Sequence, residues 1–353
     1  MFVFQWTLVI LASAVALTAV ARRLGVPYPS LLALGGTALA LLPITPNLRL
    51  DPSLTLALFV APVLLDAAYD TSLRDLRANW VPVLCLVVIA VVITTGAVAW
   101  LVHALVPGMP WAAAIALGAI VAPPDAAAAT AILRPLRLPQ RVVVILEGES
   151  LLNDASALMI YRIAIASLGM GSVDWGQLAP VFALSIVGSV AAGFLLARLF
   201  ALTVGRVQDA PSQIVLQFVG TFGIWILAEH LSLSPIVTVV AFGITASRYS
   251  GSSTPARLRV PSFAVWETVV FVLNVMAFVL IGLQLRPIIS ALAPSERADF
   301  LRIGALVFLV VVLVRAAWIW TYVGAAHLKA RWLGAGRWPG ESPPTPRGAL
   351  VVT

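Results

Sequence analysis

The chain has 353 residues, 61% of them hydrophobic and 10% charged, with a formal net charge of +7 and a mean hydropathy of +1.02. Soluble domains carry roughly 25% charged residues, so water-facing globular, disordered and nucleic-acid-binding proteins are excluded together, and a lipid bilayer is the solvent for most of the chain. A single cysteine, Cys85, rules out internal disulfides and cysteine metal clusters, and the three histidines show no ligand spacing. No Gly-Lys-Ser/Thr phosphate loop supports an ATP-driven pump.

In chain order, apolar runs separated by Arg, Pro and Gly predict about eleven transmembrane helices. They fall near 2–21, 28–46, 54–70, 80–105, 111–133, 142–168, 178–204, 212–230, 234–248, 264–285 and 302–328. The first run lacks a basic n-region and is followed by Arg22, Arg23 and more spans, so it reads as a helix of the mature protein. Loops after odd-numbered spans and the adjoining ends of those spans (Arg198 and Arg248), together with the C-terminal tail, hold sixteen of the 22 Lys and Arg residues. Loops after even-numbered spans hold four (Arg49, Arg286, Arg297 and Arg302), while Arg162 and Arg315 lie within spans. This bias predicts an outside N-terminus and a cytoplasmic C-terminus, and short loops favour a bacterial plasma membrane. Residues 1–336 read as one transmembrane domain. Residues 337–353 read as a proline-rich connector that turns apolar at Ala349 and heads toward a further span.

Ionisable groups inside hydrocarbon cost roughly 2.5–3.5 kcal/mol each on insertion scales, which makes the intramembrane ones the most informative residues. The sixth span contains Glu147-Gly148-Glu149-Ser150-Leu151-Leu152-Asn153-Asp154. At about 100° per residue, Glu149 and Asn153 share one stripe, and Glu147, Ser150 and Asp154 another. Three carboxylates so close cannot all face lipid or all ionise without cations nearby. The run reads as an ion- or proton-carrying site, with a hydrogen-bonded polar seam between helices as the alternative. In the fifth span, Pro123 and Pro124 remove two amide donors, so the helix breaks near the membrane midplane. A broken helix at that depth frees carbonyls for ions; the alternative is a simple proline kink with Asp125 capping the second half, and the two readings are compatible. Arg315 sits too deep in the eleventh span for easy snorkelling and needs a buried anion, for which Glu149 is the candidate. Asp66, late in the third span, is either a mouth residue that draws cations or an interfacial acid. Glu267 reads as a first-turn partner of a helix dipole.

At these residues the chain resembles the monovalent cation:proton antiporter family, in its sodium/proton exchanger branch. Glu149-Ser150-Leu151-Leu152-Asn153-Asp154 matches the family's Glu-x-x-x-Asn-Asp signature, and Gly118 to Asp125 matches its unwound-helix motif. Phe271 to Asn274 and Phe278 to Gln284 look like a further family segment. The resemblance implies an inverted-repeat antiporter fold, with Asp154 as the ion- and proton-binding carboxylate and Asn153 its companion. Ser150 and the backbone around Pro124 would complete the coordination of a transported Na⁺, K⁺ or Li⁺. Glu149 and Arg315 would be a structural ion pair, and Asp66 would line the approach. A homodimer and electroneutral exchange of one cation for one proton are implied as well. Pro124-Asp125-Ala126 departs from the family's Thr-Asp-Pro and loses a hydroxyl ligand. Family members also continue into a second discontinuous helix with a Gly-x-Arg-Gly motif, which is not found in this sequence. The chain therefore reads as a fragment or a truncated transporter, and the alternative function is a non-transporting membrane protein or assembly partner. No nucleophile–base pair or resident metal set is visible, so neither an enzyme nor a cofactor is expected.

Overall fold

A computed structural model describes residues 2–42, 51–124, 140–170, 175–253 and 255–333. Described in chain order, the helices are α1 (Phe2–Leu24), α2 (Tyr28–Ala40), α3 (Pro52–Asp70), α4 (Leu73–Ala78), α5 (Trp80–Leu105), α6 (Trp111–Val121) and α7 (Gln140–Met170). They continue as α8 (Trp175–Val204), α9 (Ala210–His230), α10 (Pro235–Ser253), α11 (Ala256–Leu283), α12 (Leu285–Ala291) and α13 (Arg297–Leu333). Among the described residues there is no strand. Among the described residues, eight helices are long and apolar enough to cross a membrane, and each of the three remaining predicted runs carries a shorter helix: α2, α6 and α10.

Large apolar side chains stand exposed on many of these helices. Leu184 is 73% exposed and Phe308 72% exposed, an arrangement that only hydrocarbon solvates without penalty. Several hydroxyls inside the helices are satisfied locally. Thr18 donates to the Ala14 carbonyl, Thr37 to Ala33 and Thr221 to Gln217, so no partner from solvent is needed. The helix α3 opens on Asp51, whose carboxylate accepts from the Ser53 hydroxyl and the Leu54 amide. These bonds hold its pKa below the usual carboxylate range. A π-helical turn, Leu56–Val60, precedes Pro62 in α3. It falls where the missing proline amide leaves a carbonyl of the preceding turn without its ladder bond.

The described helices sort into two compact units. The first holds α1–α3, α8 from Ala183 onward, and α9–α12; the second holds α4–α7 and α13. In the first unit α2 lies flat on α11, where Gly36 faces the Val279 backbone and Gly282 faces the Ala33 carbonyl. Neither position has room for a Cβ, so the two backbones approach as small residues allow in membranes. Ile10, Leu32, Val275 and Val279 pack around this contact. Within the second unit α6 lies between α5 and α7, and α13 packs along α5. Val98 and Val102 of α5 meet Val307 of α13, and Leu86 and Ala90 meet Ile319 and Val323. Arg141, at the start of α7, donates to the Asn79 side chain ahead of α5.

Several boundaries differ from those read off the sequence. The helix α11 starts at Ala256 rather than near 264, running through Pro261. Pro261 lies early in the helix on an exposed stretch, where water can serve the carbonyl that its ring leaves unbonded. Glu267 is consequently well inside α11 and is not a first-turn residue.

Candidate ion-binding site

All the polar chemistry of the sixth predicted span falls on α7, and its two stripes have different environments. Glu149 is 2% exposed and Asn153 0%. Ser150 and Asp154, one position further on, are half-buried, and Glu147 is exposed. The fully buried stripe is cross-tied within the second unit at both of its residues.

Glu149 faces α13. Its Oε1 accepts from Arg315 Nη1 at 2.6 Å and its Oε2 from Arg315 Nη2 at 3.0 Å, a two-pronged pairing of planar groups. Arg315 keeps its charge in any surroundings, so a carboxylate opposite it resolves the expense of carrying a guanidinium at mid-span.

One turn later, Asn153 faces the end of α6. That helix stops at Val121, and Ala122 and Pro123 bend out of it. The two prolines supply no amide to continue the ladder. Asn153 Nδ2 donates to the Pro124 carbonyl at 3.2 Å. This bond fixes the orientation of the amide, because a carbonyl partner requires the NH₂ side. Asn153 Oδ1 is then left buried, with no hydrogen-bond donor among the described residues. An oxygen in that state suits either a hard cation or a proton-bearing group.

The structure thus joins Glu149 to Arg315 and Asn153 to Pro124. Asp125 and the second half of the broken helix lie outside the described residues. Asp66 belongs to the first unit, where it is half-buried and lines a cavity of about 120 Å³ built by that unit's own helices. Among the described residues no three His, Cys, Asp or Glu side chains gather as a resident metal site.

The sequence matches the family described as "Sodium/hydrogen exchanger, transmembrane" over residues 9–335. The chain belongs to the sodium/hydrogen exchanger family. It is 32% identical to the Na⁺/H⁺ exchanger YjcE of Escherichia coli strain K12, across 90% of this chain and 61% of that protein. A sodium, potassium, lithium and rubidium/H⁺ antiporter of Bacillus pumilus is 29% identical, across 84% of this chain and 46% of that protein. The chain therefore spans about half to three-fifths of the length of these relatives. Its fold is similar to that of the solved sodium proton antiporter MjNhaP1 from Methanocaldococcus jannaschii. The TM-score is 0.73 at 18% identity, covering 99% of this chain and 83% of that one.

Set within an exchanger fold, two polar features went unread in the sequence. Gln213, Gln217 and Thr221 recur every fourth residue on α9 and form one buried or half-buried stripe. That spacing is the signal the sequence offers, and it is weaker than that of the ionisable groups because neutral amides cost less in hydrocarbon than charges do. The Arg141–Asn79 contact is the other, and nothing local in the sequence announces it.

Proposed function

We propose that this chain exchanges a monovalent cation for protons across the membrane, with Asp154 binding either one in turn. One observation carries the reading. Asn153 is fully buried, is held by its amide nitrogen on the Pro124 carbonyl, and keeps Oδ1 without a donor among the described residues, next in sequence to the half-buried Asp154. Na⁺ is the favoured cation, with K⁺ or Li⁺ as substitutes, because each is a hard ion suited to oxygen ligands. Ser150, the Pro124 carbonyl and Asp125 would complete its shell. Glu149, engaged by Arg315, is not the exchanging acid; it anchors α7 so that Asp154 can exchange its ligand. A proton or a single cation each neutralises one carboxylate, so the cycle would be electroneutral and driven by the two gradients without ATP. Asp66 would draw cations on the approach.

Further expectations belong to the same proposal: a homodimer in a plasma (inner) membrane, with the N-terminus outside and the C-terminus cytoplasmic. No observation favours the reading as a non-transporting assembly partner. The decisive experiment loads the purified chain into proteoliposomes with an internal pH dye and adds Na⁺, K⁺ or Li⁺ outside. Cation-dependent alkalinisation is expected from the wild type and none from Asp154→Asn. Equal rates from the two proteins would refute the assignment.

A further inference from the structure

The first unit contains a cavity of about 120 Å³ between α3, α8, α9, α10 and α11. At one probe sphere of roughly 10–15 Å³ per water, it has room for several water molecules or a small organic group. We propose that this cavity binds a small aromatic or aliphatic ammonium ion, held by Asp66 and Gln213 and enclosed by aromatic walls. The site shares Asp66 with the cation approach proposed above, but it is argued from the cavity alone, and its test reads ligand binding rather than flux.

Two hydrogen-bond acceptors that line the cavity have no donor among the described residues. Asp66 forms no ion pair among the described residues, although the negative charges of Asp70 and Glu267 act on it. Gln213, 5% exposed, has its Oε1 buried with no hydrogen-bond partner. The neighbouring amide is different. Gln217 Oε1 accepts from Ser262 Oγ at 2.7 Å and from Trp266 Nε1 at 2.6 Å, which uses both of its lone pairs. Arg259, the cation of the lining, is exposed at its edge. The unmet demand is for N–H or O–H donors carrying positive charge.

The walls decide between kinds of cation. Trp266 is stacked on Phe218 with ring centroids 4.3 Å apart, Phe263 packs edge-on to Tyr69 at 6.1 Å, and Phe200 edge-on to Phe242 at 5.4 Å. A bare alkali ion asks for about six oxygens, by analogy with the hard divalent ions. The cavity offers the Asp66 carboxylate and the Gln213 oxygen, then mostly apolar surface. An ammonium group needs only two or three acceptors, and its carbon skeleton gains from aromatic faces through cation–π attraction and burial.

Isothermal titration of the 353-residue chain in detergent with benzylammonium tests the proposal, with benzyl alcohol, benzyltrimethylammonium and NaCl as comparison titrants. Saturable binding of benzylammonium is expected, at least tenfold tighter than that of either benzyl comparison compound. Asp66→Asn should weaken it tenfold or more, Gln213→Leu by a smaller factor, and Asp66→Glu should restore much of the loss. Circular dichroism of each variant establishes that it is folded. Benzyl alcohol binding as tightly as the amine would mark a merely apolar or lipid-filled cavity and overturn the proposal. Wild-type affinity in folded Asp66→Asn would overturn it too, as would displacement of the amine by NaCl in proportion to Na⁺ binding at the same oxygens.

Discussion

Breaking the Glu149–Arg315 pair is the sharpest test of how the second unit is held together. Both oxygens of Glu149 are engaged, and the side chains are 3% and 18% exposed respectively. Removing one partner from a buried pair costs about 3–5 kcal/mol, because the other charge is stranded. The partial exposure of Arg315 favours the lower end, near 3 kcal/mol. At roughly 2–4 °C per kcal/mol for a unit of this size, Arg315→Met or Glu149→Leu should lower the melting temperature by about 6–12 °C. The two singles should differ. A stranded Glu149 can take up a proton, whereas a stranded Arg315 stays charged, so Glu149→Leu is the worse variant. The double variant, having no buried charge to strand, should be more stable than either single. Cys85 supplies the assay. It is the sole cysteine, half-buried on α5 beside the Leu86–Ile319 cluster in the same unit, so a maleimide dye reports when that unit opens on heating. Single-variant losses that simply add in the double would show the pair to be energetically uncoupled and would refute this reasoning.

Three other expectations follow from contacts already described. Asn153→Ala removes the donor to the Pro124 carbonyl and should cost about 1–3 kcal/mol, read by the same Cys85 labelling. In flux measurements it should also weaken cation dependence. Gly36→Ala and Gly282→Ala each push a Cβ into facing backbone and should destabilise by about 1–3 kcal/mol, measured by thermal circular dichroism. Gly96→Ala, where a Cβ meets nothing within 4 Å, should instead be neutral or stabilising by about 0.5–1 kcal/mol.

How much of this was legible in the sequence depended on whether the responsible force was local. Hydropathy located a helix for every predicted run, and the limits of α5 coincide with the predicted 80–105, because length and apolarity alone decide what crosses a bilayer. The stop at Val121 was legible for a similar reason, since two consecutive prolines forbid continuation whatever surrounds them. The start of α11 was not, because a proline close to a helix N-terminus is tolerated when solvent can reach the affected turn. The cavity in the first unit is not legible in the sequence for another reason. Gln217 meets Ser262 and Trp266, 45 and 49 positions away, and only assembled helices reveal that Gln213 beside it has no such donor. Equally, the division of the helices into two units depends on long-range packing that no window of sequence contains.

The run from Glu149 to Asp154 shows why a polar patch can be recognised before its members can be given different parts. Two acids five positions apart on a helix stand about 140° apart in projection, so they cannot face the same neighbour. Sequence alone states that separation but not which side meets a cation. The arginine on α13 occupies both carboxylate oxygens of Glu149 from a position 166 residues distant, which supports the proposed assignment of the exchanging role to the other acid. On that same stripe the Pro124 carbonyl takes up the Asn153 amide. Orientation of α7 is therefore fixed by its buried side, and Asp154 is left on the half-buried stripe where an exchangeable ligand is required by the proposed cycle. A variant that rotated α7, for instance one residue inserted between Gly148 and Glu149, would displace both ties together and should abolish flux even with Asp154 chemically intact.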